Sequence, residues 1–169
     1  FPCDKVDRVT SLCRENKKVA VVCRYNLQID MLKDTLSCLG SQIFVIRGDV
    51  KDRHSIVQEV ELSDSCIVLI NAACSEGFEI GSVPLMVFYS MDFSLKNYTQ
   101  MIGRILRINK LKKNTYIHLV CEGVDTAVYK SIMSKKDFQI AIYARDAGSE
   151  VDDPDNFEQG LAAFNLEEY

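Results

Sequence analysis

Long apolar runs are missing from this sequence: none reaches the roughly 18 residues of a membrane-spanning helix. The first residues, Phe1, Pro2, Cys3 and Asp4, also lack the basic-then-apolar pattern of a secretory leader. Glycine and proline are scarce, 8 and 3 among 169 residues, which excludes a collagen-like repeat. With 47% hydrophobic and 26% charged residues the composition also excludes a disordered chain, and its length suits a soluble domain with one sizeable core. There is no initiating methionine and patterned sequence begins almost at once, so a piece of a longer polypeptide is expected.

The seven cysteines (Cys3, Cys13, Cys23, Cys38, Cys66, Cys74 and Cys121) form no C-x-x-C pair, and only His54 and His118 accompany them, neither at ligand spacing. That argues against a zinc site and for buried thiols in a reducing compartment, the cytoplasm. Nucleotide signatures are absent too. There is no G-x-x-x-x-G-K-[ST], no G-x-G-x-x-G after the first strand, and no Ser/His/Asp or Cys/His set with local support. A self-sufficient NTPase or dehydrogenase is thereby disfavoured.

Basic residues are missing only at the end. From Asp146 onward there are eight acidic residues and no lysine or arginine, which leaves 20 basic against 16 acidic residues before it and turns a total charge of -4 into a body of +4. A mildly basic body with an acidic tail suits a nucleic-acid binder, and a solvated surface with a loose end fits the charges equally well. The division expected is a folded domain over residues 1–145 and a loosely ordered or docking tail over 146–169.

What is present is alternation. A helical pattern over Val6 to Glu15 gives way to Val19, Ala20, Val21, Val22 and Cys23, a run too short for a helix and β-branched enough for a buried strand. Asn26 then stands as an N-cap before Ile29, Leu32, Leu36 and Leu39 at helical spacing, stopped by Gly40. Further strands are expected at Ile43 to Ile46, Cys66 to Ile70, Leu85 to Tyr89 and Tyr116 to Cys121, with helices near Arg53 to Glu59, from Leu95, and over Asp125 to Met133. Strands apolar on both faces and separated by helices predict an α/β fold with a parallel sheet covered on both sides. Ligands of such sheets sit beyond the strand carboxyl ends.

One helix is unusual. From Ser94 to Arg107, Tyr98, Met101, Ile102, Ile105 and Leu106 form one stripe, while Gln100, Gly103, Arg104 and Arg107 share the other. An amphipathic helix with a solvated side explains the charges, but a mid-helix glycine costs roughly 1 kcal/mol against alanine and suggests a close approach.

Gln100-Met-Ile-Gly-Arg-Ile-Leu-Arg resembles motif VI, Q-x-x-G-R-x-x-R, of the C-terminal RecA-like lobe of superfamily 2 helicases and translocases. Other segments resemble that family in the right order. Lys18 to Leu32 is similar to motif IV, Ile46-Arg-Gly-Asp with Arg53 to the strand-glycine segment after it, and Val68 to Ile80 to motifs V and Va. Gly123 to Lys136 is similar to the closing helix of the Swi/Snf-type branch. The resemblance covers about residues 4 to 140, and the short loops hint at a compact phage or bacterial motor.

The resemblance implies a RecA-like sheet of about five or six strands with helices on both faces. It implies half of an ATP and Mg2+ site, completed by an N-terminal lobe of the same polypeptide, with Arg107 as arginine finger and Arg104 as its neighbour on phosphate or on the other lobe. Gln100, Gly103, Gly77 and Glu79 complete the nucleotide side, Glu79 standing where the family often has aspartate. For DNA, or RNA, held without sequence preference, it implies phosphate contacts from Arg24, Asn26, Arg47, Gly48 and Asn71. For Asn71 a strand-end cap weighs nearly as much as a phosphate bond, and for Arg24 and Arg47 the alternative is a surface ion pair. Lys110, Lys112 and Lys113 read as a solvated turn. No membrane partner is expected. A RecA-like lobe kept as a non-catalytic interaction module is the alternative function, and a flavodoxin-like or Rossmann-like binder is disfavoured because Arg24-Tyr-Asn-Leu offers no glycine to cradle a phosphate.

Overall fold

A computed structural model describes residues 4–50, 52–74, 76–106 and 113–146. In chain order it has α1 (Asp4–Glu15), β1 (Lys18–Cys23), α2 (Asn26–Leu36), β2 (Gln42–Ile46), α3 (Arg53–Leu62), β3 (Cys66–Asn71), β4 (Leu85–Phe88), α4 (Leu95–Gly103), β5 (Thr115–His118) and α5 (Val124–Asp146). The five strands form one parallel sheet in the order β2-β3-β1-β4-β5. The expected α/β architecture is therefore the observed one.

Period-two alternation divides each strand between two cores. Ala20, Val22, Val68, Ile70, Met86, Phe88 and Tyr116 face α3, α4 and α5, where Val60, Tyr98, Met101, Val128 and Ile132 cover them. Val19, Val21, Ile67, Leu69, Val87 and Ile117 face α1 and α2, where Val9, Leu12, Ile29, Leu32 and Leu36 cover them. Central β1 is apolar at every position past Lys18 because both its faces are buried. Register pairs Cys23 with Asn71 and Val22 with Phe88, so the carboxyl ends of β1, β3 and β4 open on one edge.

Three expectations about elements are corrected. Asn26 is the first residue of α2, not its cap: Tyr25 holds the cap position, with its N–H donating to Gln28 Oε1 at 3.3 Å. α4 ends at Gly103, so Arg104 lies in a tightened turn, and Leu106 leaves the apolar stripe to stand 56% exposed because helical phase is lost there. α5 continues well past Met133 to Asp146, as no glycine or proline interrupts it. Residues 147–169 of the acidic tail, Arg107, Lys110 and Lys112 lie outside the described residues.

Of the cysteines, Cys13, Cys23 and Cys66 are buried, and burial pushes the first two thiols up to about 12. Cys38 and Cys121 are exposed, so the core reading does not extend to them. No described helix is long and apolar enough to cross a membrane.

Candidate nucleotide and nucleic-acid edge

The loop after β3 and the end of α4 are built as one unit. Within Gly77-Phe-Glu-Ile the side chains alternate: Phe78 and Ile80 are buried while Glu79 is exposed. Gly77 makes the turn that starts this alternation, with φ +83, a backbone that side chains with a Cβ rarely adopt. Arg104 then closes the unit twice. Its carbonyl accepts from Ile80 N–H at 2.9 Å, and its Nη1 donates to the Phe78 carbonyl at 2.9 Å while the guanidinium lies 5.6 Å from the Phe78 ring centre. This half-buried arginine is a brace for the loop, not a member of a solvated helix face as its spacing suggested.

Gln100 joins the same unit. Its Nε2 donates to Glu76 Oε1 at 3.3 Å, and Lys96 stands 3.5 Å from the same oxygen. The Gln100 hydrogen bond, then Lys96, hold the Glu76 carboxyl below the usual carboxylate range. Nothing near Glu76 in the sequence signals this, because its partners are 20 and 24 residues away. Gly103 does not serve a close approach within the described residues: a Cβ there would meet nothing within 4 Å, so this glycine sits at the helix end in open space.

Beneath α4 lies a buried polar link. Tyr98 Oη and His118 Nε2 are 3.0 Å apart, and the imidazole stacks on Phe88 with ring centres 4.8 Å apart, the Tyr129 ring meeting it edge-on. Burial, with Lys136 nearby, pushes His118 down to about 4, so the ring is neutral at physiological pH.

The β1 side of the edge is arranged differently. Asn71 Oδ1 accepts from Ala73 N–H at 2.9 Å, and its Nδ2 donates to Asn26 Oδ1 at 2.8 Å. The strand-end cap is thus realised, and it uses the Asn26 side chain as well. Arg47 pairs with Asp30 at 2.8 Å and Asp49 at 2.9 Å, the surface ion pair weighed for it. Arg24 forms no ion pair among the described residues; its guanidinium lies over the Tyr25 ring at 5.0 Å, while its N–H donates to Ser90 Oγ at 2.8 Å. Gly48 is exposed beside Arg47. Tyr25, Glu76 and Ser90 lie in the stretches after β1, β3 and β4 where the sequence places ligands, but their partners were not legible, since only tertiary packing brings these segments together. No group of three His, Cys, Asp or Glu able to hold a metal ion occurs among the described residues.

Comparisons with known proteins converge on one family and one fold. The family described as "Helicase conserved C-terminal domain" matches residues 4–109. The Drosophila melanogaster SWI/SNF-related matrix-associated actin-dependent regulator of chromatin subfamily A-like protein 1 is 22% identical over 143 residues, 80% of this chain and 19% of that protein. The Chaetomium globosum ATP-dependent RNA helicase FAL1 is 24% identical over 110 residues, 64% of this chain and 27% of that protein. The chain thus spans a fifth to a quarter of the length of these relatives. In fold it is similar to the C-terminal part of the Fun30 ATPase domain, with TM-score 0.70 and 15% identity over 76% of this chain and 45% of that one. It is also similar to the C-terminal domain of the DEAD-box protein Dbp5, with TM-score 0.66 and 18% identity over 78% of each.

Proposed function

Because the chain belongs to the helicase conserved C-terminal domain family, we propose that it works as the C-terminal motor lobe of an ATP-dependent nucleic-acid helicase or DNA translocase. An N-terminal RecA-like lobe of the same polypeptide completes its ATP site. The observation that carries this reading is the Arg104 brace, which ties the loop that carries Gly77 and Glu79 to the helix that carries Gln100 and Gly103. A glycine turn, an amide and guanidinium groups fit a triphosphate, whereas the phosphate loop, its lysine and the Mg2+ ligands are assigned to the other lobe.

Within that site Arg107 is the arginine finger. Arg104 acts through the loop it braces, and Glu79, exposed on that loop, faces the ribose side. DNA is the first choice of track and RNA the second, crossing the edge by phosphate contacts to Arg24, Asn26, Arg47, Gly48 and Asn71 without base specificity. Asp30 and Asp49 already hold Arg47, and Asn71 caps its own loop, so Arg24 carries the larger share. Free thiols at all six described cysteines support a reducing compartment, the cytoplasm.

The test uses the full-length motor. Arg107→Ala lowers the turnover number by roughly 10³-fold to 10⁵-fold while nucleotide affinity changes far less, and lysine does not rescue it, since a point charge cannot replace the planar fork. Turnover unchanged by Arg107→Ala in a protein that does hydrolyse ATP overturns the assignment. The 169-residue chain by itself, holding half a site, shows no ATP hydrolysis above a boiled control.

A further inference from the structure

Tyr25 is 52% exposed at the carboxyl end of β1, between the two edge residues Arg24 and Asn26. A single exposed aromatic on a surface is ordinary, but this one has company. The half-buried Arg24 guanidinium packs over its ring at 5.0 Å and makes no ion pair among the described residues, so a delocalised cation lies against an exposed aromatic plane. Leu27, 82% exposed on the first turn of α2, extends the apolar surface beside them. With Arg24 against it the ring is still 52% exposed, and every nucleobase has a π-face able to stack on such a ring. Phosphate contacts alone have no use for such a surface.

We propose that Tyr25, backed by Arg24, is a stacking platform for an unpaired nucleobase, so that this lobe grips single-stranded nucleic acid by a base as well as by its phosphates. The proposal rests on the helicase-lobe reading and adds to it a dependence on bases that phosphate contacts lack. Duplex bases are already stacked on one another, so the platform favours single strands.

The experiment compares two fluorescein-labelled 20-mers at low salt with the 169-residue chain, one oligo(dT) and one of the same length carrying abasic tetrahydrofuran residues. Both present the same phosphates. The expected result is that oligo(dT) binds roughly tenfold tighter, that Tyr25→Ala removes this difference, and that Tyr25→Phe keeps it. Arg24→Gln weakens both strands. Thermal midpoints of the Tyr25 variants stay at the parent value, because no core contact is removed. Equal affinity of the parent for the two strands overturns the platform while leaving the helicase-lobe reading intact. Binding of neither strand counts against both. If Leu27→Ser removes the base dependence and Tyr25→Ala does not, the apolar helix face and not the ring is the contact, and the proposal fails.

Discussion

Against α4 polar groups turn inward, whereas beyond the carboxyl end of β1 they lie against exposed neighbours. Arg104 donates to the Phe78 carbonyl and Tyr98 meets His118 in the core, while Arg24 rests on an exposed ring and Arg47 sits between two exposed aspartates. Two arginines of the same lobe therefore have different work. Both guanidinium groups are half-buried, but the one bound to a main-chain carbonyl shapes the backbone around it, whereas the one stacked on an exposed ring remains available to a ligand. The α4 side should accordingly answer substitution with lost stability, and the β1 side with lost binding.

The largest expected effect lies under α4 and depends on pH. His118 titrates at about 4 in the folded chain against about 6.5 unfolded, so between these values the unfolded chain binds more protons. Stability is therefore complete above about pH 6.5 and falls as the pH drops toward 4, by up to about 3 kcal/mol from this group. Tyr98, Tyr129 and Lys136 surround the ring, and none of them adds a carboxylate that would stabilise its charged form. Urea unfolding at pH 7 and pH 4.5, for the parent and for His118→Gln, checks this: the variant should show the shallower pH slope. Equal slopes would mean that the buried imidazole is not what distinguishes the α4 side.

Next is Arg104→Ala, which removes a charge-assisted hydrogen bond to the Phe78 carbonyl and the contact with the Phe78 ring; about 1–2 kcal/mol of stability should go, measured by urea unfolding. The motif spacing alone placed this residue on a solvated face, where alanine costs within about 0.5 kcal/mol. A loss that small would return Arg104 to solvent and erase the contrast between the two sides. The smallest effect is expected for Arg47→Ala. Its ion pairs are exposed and strongly screened, so the stability change should stay below about 1 kcal/mol and shrink further with added salt. A larger, salt-insensitive loss would put Arg47 with Arg104 as a structural residue.

Much of the framework was legible because it follows from local periodicity. The strand runs at β1, β3 and β4 are apolar on both faces, and that requires a sheet covered on both sides whatever its strand order. Motif VI was legible as a string, and so was the acid Glu79, since the Gly77 turn and the period-two alternation after it are local. The end of α4 was not. Whether Gly103 continues a helix or ends it depends on what captures the next residue, and the captor is the Phe78 carbonyl, 26 residues away. Asn26 was read as a cap for the same reason: its side chain had a suitable local target, and Asn71, 45 residues on, competes for it.

Sequence by itself determined the α/β class, the parallel sheet, the two buried faces and the residues that carry the family likeness, because hydrophobic period and turn chemistry act over a few residues. Tertiary structure decided which of the edge's polar groups face inward. Placing β1 between β3 and β4 sets Asn26 against Asn71 and Arg24 against Ser90, and packing α4 on Phe88 sets Tyr98 against His118. A side chain's partner is the nearest group that satisfies it, and across a parallel sheet that group comes from a strand far away in sequence.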